Sequence, residues 1–399
     1  MNFPEVSIHN KHLGYYSVNG IPFASKNEAA IYATATKQKL AWHFNDEVYN
    51  NYNWTIEPEQ SLDELYDKRA RQLREEYDYL ILSYSGGSDT HNILTSFLRQ
   101  GLLIDEVLVN VNDKINRIIV DDMSIKSNWN YGAEYKLQIY PRLQEIKNSS
   151  PNTKITVVDT SDSIIESMEN AGDASWVIGK KEALNISAIT RYNYLYFSEV
   201  RKKFDKDKKI AIIVGVEKPL SYISNNKFFL VFSDKMANLT PIQQHFEEYT
   251  NAQTEYFYWH PSTVDMVCKQ GHVIKKWLSV NPQYLKLWKP ADKSEFYSTH
   301  RVIQPIIKNV IYSTWNKDWF QVEKDTMFWH GEIDAWWHKH YSNTREYAVW
   351  KEGINYMTNS AKDYVYKKNG IEDGLINFGK AYYIGDMPPA APVNNEIIL

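Results

Sequence analysis

Four apolar segments alternate with helical patterns between residues 79 and 216, and this alternation constrains the fold more than any other feature. The segments are YLILSY, DEVLVNV, KITVVD and KKIAIIVGV. Continuous apolar runs are typical of strands whose two faces are both buried in a parallel sheet. Strands that alternate with helices predict an open, doubly wound, mostly parallel α/β sheet, with functional loops at the carboxyl ends of the strands.

The length of 399 residues predicts two or three domains, because one compact core rarely grows so large. Residues 1–60 contain a hairpin signal at Asn19-Gly20 and a helical pattern, which predicts an N-terminal hairpin-helix extension. Residues 61–240 carry the alternating pattern of the α/β domain. Residues 241–399 predict a mainly helical C-terminal domain with its own aromatic core, since nine of the 13 tryptophans lie between 255 and 350.

Composition favours a soluble, cytoplasmic protein. The net charge of −4 provides no global basic field, so the sequence shows no clear nucleic-acid footprint. The start, MNFPEVSIHNK, lacks the basic and apolar regions of a signal peptide. The run IAIIVGV is too short to span a bilayer, so no membrane partner is expected. Cys268 is the single cysteine, which excludes an intrachain disulfide and fits a reducing compartment.

The first apolar segment leads through SYSGGSDT, a glycine turn, into a helical pattern. Backbone N–H groups in such a turn can converge on an anion. The helix N-terminus adds unpaired N–H groups and a partial positive charge. Gly86 and Gly87 would let a phosphate approach the backbone, because neither has a Cβ. Ser85, Ser88 and Thr90 would add hydroxyl groups.

Asp89 is the residue that a simple anion site would not contain. Its carboxylate would repel a phosphate unless a cation lay between them, so we predict Mg²⁺ bridging Asp89 and phosphate oxygens. The spacing is that of neither a Walker loop nor the dinucleotide-binding glycine motif. The competing interpretation is a tight strand-to-helix turn in which Asp89 only caps the helix.

The stretch SYSGGSDT resembles the signature of the PP-loop ATP pyrophosphatases, the adenine nucleotide alpha-hydrolase-like superfamily. The resemblance covers about residues 78 to 235, only the turn is highly specific, and the subfamily is unassigned. It implies that ATP is split between its α- and β-phosphates, with pyrophosphate held by Ser85 to Thr90. It also implies that backbone groups of Val109, Asn110 and Val111, at the end of the second strand, recognise adenine.

A second glycine motif, VGVEKP, follows the fourth apolar segment, and the resemblance implies that it faces the phosphates. Lys218 could then neutralise charge on the leaving pyrophosphate. Alternatively, Glu217 and Lys218 form a solvated turn. The catalytic residues implied are Asp89 and Lys218, and the ATP-binding residues implied are Ser83, Ser85, Gly86, Gly87, Ser88, Asp89, Thr90, Val109, Asn110 and Gly215.

These expectations describe an AMP- and pyrophosphate-forming ligase or transferase that uses ATP and Mg²⁺. It would adenylylate an oxygen of a small-molecule or nucleotide acceptor before a nitrogen nucleophile attacks. One alternative is a PAPS-reductase-like or sulfur-transferring enzyme, and another is a non-catalytic nucleotide-binding protein. The sequence is also compatible with a homo-oligomer.

Three further patterns are candidate sites. Cys268 and His272 are four residues apart, which is compatible with a His-activated thiolate or with a small buried cysteine. His330, Asp334 and His338 recur at four-residue steps and could bind a metal, although a polar helix face is favoured. The segment YSTWNKDWF, residues 312–320, combines aromatic and amide side chains and is expected to contribute to acceptor recognition.

Overall fold

A computed structural model describes residues 14–23, 25–123, 134–169, 207–215, 220–234, 252–290, 293–316, 332–368, 371–374 and 376–387. The strands in these ranges are β1 (Tyr15–Val18), β2 (Ile21–Phe23), β3 (Leu40–His43), β4 (Tyr79–Ser83), β5 (Glu106–Val111), β6 (Lys154–Asp159), β7 (Ile210–Val214), β8 (Leu220–Ser224), β9 (Lys227–Ser233), β10 (Ala252–Tyr256), β11 (Val365–Lys368), β12 (Ile371–Gly374) and β13 (Phe378–Asp386). The α-helices are α1 (Lys26–Thr36), α2 (Asp46–Tyr49), α3 (Leu62–Glu76), α4 (Ser88–Leu98), α5 (Asp113–Met123), α6 (Tyr140–Ser149), α7 (Ser161–Glu169), α8 (Val264–Val280), α9 (Lys293–Ile311), α10 (Glu332–Tyr341) and α11 (Arg345–Ser360). A π-helix, Glu134–Ile139, leads directly into α6.

Two hairpins form at asparagine-containing turns. Asn19 and Gly20 join β1 to β2, and both have positive φ, as a type I′ turn requires, so the predicted N-terminal hairpin is confirmed. Asn225 and Asn226 join β8 to β9 and also have positive φ. β3 pairs with the other edge of β1, which gives a small antiparallel sheet in the order β2-β1-β3.

The central sheet contains five parallel strands in the order β10-β7-β4-β5-β6. The predicted α/β class with a parallel sheet is confirmed, and the four apolar segments are β4, β5, β6 and β7. The fifth strand, β10, was not predicted, because its sequence AQTEY is too polar to resemble a buried strand. The chain proceeds outwards from β4 to β6 and then returns to β7 on the other side of β4. The order of the strands therefore reverses between β4 and β7.

One contiguous core joins the three predicted segments of the chain. It contains residues from Tyr16 in β1 to Met387 after β13, and Trp259, Trp337 and Trp350 are almost completely buried in it. The C-terminal aromatic residues thus contribute to a shared core, and the separate core expected for the last third is not found among the described residues. The domain boundaries at 60 and 240 stay predictions. No helix in the described ranges is both long and apolar enough to cross a bilayer.

Candidate functional site

The glycine turn lies at the carboxyl end of β4, the middle strand of the central sheet. Ser83, half-buried, is the last residue of β4, and the amide of Tyr84 still donates to the carbonyl oxygen of Leu108 at 2.8 Å. Gly86 then takes a positive φ of 67°. Gly87 is the N-cap of α4, and no side chain caps this helix in its place. The predicted strand, turn and helix are therefore all present.

Two backbone amides of the turn contact side-chain hydroxyl groups. The amide of Ser85 lies 3.3 Å from Thr90 Oγ1, and the amide of Gly87 lies 3.4 Å from Ser85 Oγ. Both contacts are long for hydrogen bonds, so a charged acceptor would compete well for these donors. Within the described part of the chain, the amides of Gly86 and Ser88 donate to no protein acceptor. Up to four amides of the turn are thus candidate anion donors.

The two glycines of the turn differ in what lies against them. A Cβ on Gly86 would lie 2.8 Å from Ile139 Cγ1, so the π-helix packs directly on this residue. Gly86 is therefore required by its positive φ and by Ile139, which is a different reason from the phosphate approach that we expected. A Cβ on Gly87 would meet only Ser85 Oγ, at 3.3 Å, among the described residues. Gly87 forms the open side of the turn.

Gly215 follows β7 and lies beside the glycine turn. A Cβ at this position would lie 3.1 Å from Ile93 Cδ1 and 3.2 Å from both the amide nitrogen and Cγ2 of Thr90. The absence of a side chain lets the end of β7 pack on the first turn of α4. The two glycine motifs thus converge where the strand order reverses. Glu217 and Lys218 lie outside the described residues, and their roles stay predictions.

Asp89 is oriented by two buried tyrosines. The hydroxyl of Tyr312 donates to Asp89 Oδ1 at 2.6 Å, and the hydroxyl of Tyr258 donates to the backbone oxygen of Asp89 at 2.8 Å. Burial, followed by the charge of Asp89, raises the pKa of both tyrosines well above the ordinary value, so they remain donors. No group of three metal-ligating side chains occurs in the described ranges. An ion at Asp89 would therefore take its other ligands from phosphate oxygens and water.

A buried arginine beside the turn was not identified from the sequence. Arg142 of α6 is 4% exposed, and its guanidinium donates to the carbonyl oxygen of Gln138. The guanidinium lies 5.4 Å from the ring centroid of Trp315, whose ring also makes an edge contact with His91 at 6.0 Å. Gln138 and Ile139 lie against Gly86, so the arginine bonded to Gln138 is close to the turn. No local pattern could have revealed it, because only the packing of the π-helix on Gly86 brings α6 near the turn.

His91, on the first turns of α4, is expected to make the protein sensitive to mild acid. Burial, with a smaller contribution from the charge of Arg142, lowers the pKa of His91 from 6.5 to about 4. Below pH 6.5 the unfolded chain would bind a proton that the folded chain does not. The free energy of unfolding should therefore fall by up to about 1.4 kcal/mol per pH unit between pH 6.5 and 4.

Urea unfolding at pH 7 and pH 5 measures this loss in the unmodified protein and in His91→Gln. The variant cannot bind this proton in either state, so its free energy of unfolding should change less between the two pH values. Equal losses in the two proteins would show that His91 is not the group responsible.

The end of β5 presents unpaired backbone to the glycine turn. The pairing of β4 with β5 ends at Ser83 and Leu108, whereas β6 continues to pair with Val109, Asn110 and Val111. In a parallel sheet the backbone groups of successive residues point to opposite neighbours, and the carbonyl oxygen of Val111 accepts from the amide of Thr160 on the β6 side. Asn110 is therefore the residue whose backbone faces the β4 side, where it has no ladder partner in the described ranges. Asn110 Oδ1 is also buried without a donor there. Buried acceptors usually have partners, so this edge is suited to a ligand with N–H donors.

The contacts of Cys268 favour the interpretation as a small buried residue. Its thiol lies 3.6 Å from the carbonyl oxygen of Trp54, and His272 Nε2 lies 3.0 Å from the same oxygen. Burial raises the pKa of Cys268 to about 12, so the thiolate is disfavoured at neutral pH. The imidazole is engaged by Trp54, and activation of the thiol by His272 is not supported.

The proposed metal pattern on the C-terminal helix is not assembled among the described residues. His338 Nδ1 lies 3.2 Å from the hydroxyl of Tyr347, and its ring packs against Trp350. Asp334 lies on α10, whereas His330 lies outside the described residues. The described contacts of His338 are those of an aromatic packing residue.

The described part of the segment 312–320 lies beside the glycine turn and α4. Thr314 Oγ1 lies 3.1 Å from Thr95 Oγ1 of α4, and Trp315 packs beside Arg142 as described above. The last four residues of the segment lie outside the described ranges. Residues 312–316 thus lie against α4 close to the glycine turn, and their role in acceptor recognition stays a prediction.

The whole chain has no match in two comparisons with known proteins: no family model matches it, and no curated protein matches it. A function is therefore inferred from the glycine turn, its neighbours Gly215 and Arg142, and the open end of β5.

Proposed function

We propose that this chain is an ATP-dependent, AMP- and pyrophosphate-forming ligase or transferase with the doubly wound fold of the PP-loop ATP pyrophosphatases. The observation that carries the proposal is the convergence of the glycine turn and Gly215 at the carboxyl edge of the sheet, where the strand order reverses. Such reversal points form the ligand-binding crevice of open α/β sheets. The convergence of two glycine motifs there is suited to a ligand that approaches the backbone closely.

The turn would hold the β- and γ-phosphates, which leave as pyrophosphate. The open side at Gly87 admits the phosphate, and the N-terminal amides of α4 supply donors. Arg142 would add a fixed positive charge close to the turn, where negative charge increases on the leaving group. Asp89 would hold Mg²⁺ through its carboxylate while Tyr312 keeps that carboxylate in place.

The end of β5 would bind the adenine base. The backbone of Asn110 faces the side of the turn and has no ladder partner there within the described ranges. Asn110 Oδ1 is a buried acceptor suited to an exocyclic amino group. Residues 312–316 would then lie on the side of the acceptor, whose activated oxygen receives AMP before a nitrogen nucleophile displaces it.

Gly87→Ala tests the phosphate site without straining the backbone. Gly87 has φ −76° and ψ 166°, values that any residue adopts, so the variant should unfold at nearly the same temperature. Its methyl group would occupy the open side of the turn. We expect at least about a tenfold loss of affinity for ATP with Mg²⁺, which corresponds to about 1.4 kcal/mol. Calorimetric titration of both proteins measures the difference.

Titration with AMP provides the control for this experiment. AMP lacks the β- and γ-phosphates, so Gly87→Ala should weaken its binding much less than that of ATP. Equal ATP affinity in the two proteins would contradict the phosphate assignment. Binding of ATP without pyrophosphate release over a panel of acceptors would instead favour the non-catalytic alternative. The buried, protonated Cys268 disfavours a sulfur-transferring enzyme.

A further inference from the structure

A hydrogen-bonded chain of serine, histidine and aspartate lies on the small N-terminal sheet, in a part of the fold that the proposed function does not use. Ser17 Oγ is 2.7 Å from His43 Nε2, and His43 Nδ1 is 2.7 Å from Asp46 Oδ2. The two ring nitrogens therefore contact different partners, with the hydroxyl on one side and the carboxylate on the other. This is the order of contacts by which a histidine activates a serine nucleophile.

The strand pairing explains why these three side chains meet. β1 and β3 are antiparallel, with Tyr15 opposite His43, so Ser17 and His43 lie on the same face of the sheet. Asp46 starts α2 immediately after β3. Its other oxygen, Oδ1, accepts from the amide of Phe44 at 3.3 Å, which holds the carboxylate in position.

The imidazole is both restrained and accessible. The ring of Tyr15 stacks on His43 with centroids 4.7 Å apart and planes inclined by 14°. The side chain of His43 is 26% exposed and that of Asp46 is 29% exposed. A ligand can therefore approach this face of the sheet. On the opposite face, the side chains of Tyr16 in β1 and Trp42 in β3 are buried.

We infer that Ser17 is an activated nucleophile that accepts acyl groups from small esters. The Ser17 oxygen would bond to the carbonyl carbon while its proton passes to His43 Nε2. The bond to the alkoxide leaving group would break, and that group would take the proton from His43. Water would then release the acyl group as a carboxylic acid by the same proton transfers in reverse.

Asp46 is a positioning residue in this scheme. Its carboxylate would hold the ring with Nε2 towards Ser17 and stabilise the imidazolium that forms during each transfer. β1 pairs with strands on both sides, so the sheet uses the amides around Ser17 and leaves few donors for an oxyanion. Turnover of esters should therefore be slow, and acylation of Ser17 is the more sensitive measurement.

A fluorophosphonate probe tests the assignment, because such probes modify activated serines. The full-length protein is labelled over time, and peptide mass spectrometry identifies the modified residue. Ser262 is the internal control: it is exposed, and its hydroxyl lies 2.7 Å from His260, but through Nδ1 of the ring. We expect Ser17 to be labelled at least about tenfold faster than Ser262.

Substitutions of His43 and Asp46 distinguish activation of Ser17 from a purely structural role of the hydrogen bonds among these residues. His43→Gln and Asp46→Asn should each slow labelling of Ser17 by about tenfold or more, and Asp46→Glu should restore part of the rate. Thermal unfolding verifies that each variant is folded. Labelling of Ser17 no faster than that of Ser262, or a rate unchanged in His43→Gln, would overturn the inference. Neither result depends on ATP binding, so this test and that of the proposed function can fail separately.

Discussion

Replacement of Asp89 by Asn is expected to reduce pyrophosphate release from ATP by about 100-fold or more, with little change in stability. The amide oxygen of Asn can still accept the hydrogen bond that Tyr312 donates to Asp89 Oδ1 at 2.6 Å. What the variant lacks is the negative charge that would hold Mg²⁺ against the phosphates. Loss of one such electrostatic contact in a reaction centre costs about two to three orders of magnitude in rate. A coupled pyrophosphate assay with ATP and an acceptor panel measures the effect.

Tyr312→Phe is the matched control for this prediction. It removes the hydroxyl donor and leaves the carboxylate of Asp89 in place, so pyrophosphate release should fall much less than in Asp89→Asn. If both variants lose activity equally, the function of Asp89 is to hold the tyrosine cluster together, and the metal assignment fails. Raising the Mg²⁺ concentration should partly restore Tyr312→Phe but not Asp89→Asn.

Replacement of Arg69 by Met is expected to lower the free energy of unfolding by about 3–5 kcal/mol, the largest stability effect that we predict. Arg69 is 1% exposed in α3, and its Nη2 lies 2.7 Å from Glu255 Oε2 and 3.0 Å from the backbone oxygen of Tyr256. Both acceptors belong to β10, so this contact connects α3 to the edge strand of the central sheet. Met would leave a buried carboxylate without its counter-charge.

The positive charge of Arg69 determines how the stability from its pair with Glu255 changes with pH. Burial alone would raise the pKa of Glu255, but the charge of Arg69 and the hydrogen bond from Tyr77 hold the pKa below its ordinary value of 4.5. The stability from this pair is therefore complete above pH 4.5 and is lost as the pH falls further. In Arg69→Met that acid-dependent loss should disappear, because burial would then favour the protonated carboxyl group.

Arg99 is the matched control for Arg69. It pairs with Asp67 at 2.5 Å, but its side chain is 32% exposed, so Arg99→Met should cost less than about 1 kcal/mol. Urea unfolding at pH 7 compares the two variants. A cost for Arg69→Met no greater than that for Arg99→Met would contradict the prediction. The double variant Arg69→Met/Glu255→Leu should recover much of the lost stability, since it leaves no buried charge.

The sequence alone determined the features that depend on neighbours along the chain. Continuous apolar runs identified β4, β5 and β7, because a strand that is mostly buried on both faces has no polar alternation. The alternation of strands and helices identified β6, although its residues are partly exposed at the edge of the sheet. The dipeptide Asn19-Gly20 identified a hairpin, because both residues tolerate positive φ. The glycine turn was located because it lies between a strand and a helix that each have a clear local pattern.

Tertiary structure decided what depends on contacts between distant segments. The polar strand β10 joins the sheet through pairing with β7, and its buried Glu255 is compensated by Arg69, 186 positions away along the chain. Arg142 lies near the glycine turn only because the π-helix before α6 packs on Gly86. Ser17 and His43 lie on one face only because β1 and β3 pair in one register. Local patterns record propensity and burial, whereas the partner of a charged or polar side chain is chosen by packing, and no short stretch of sequence contains that information.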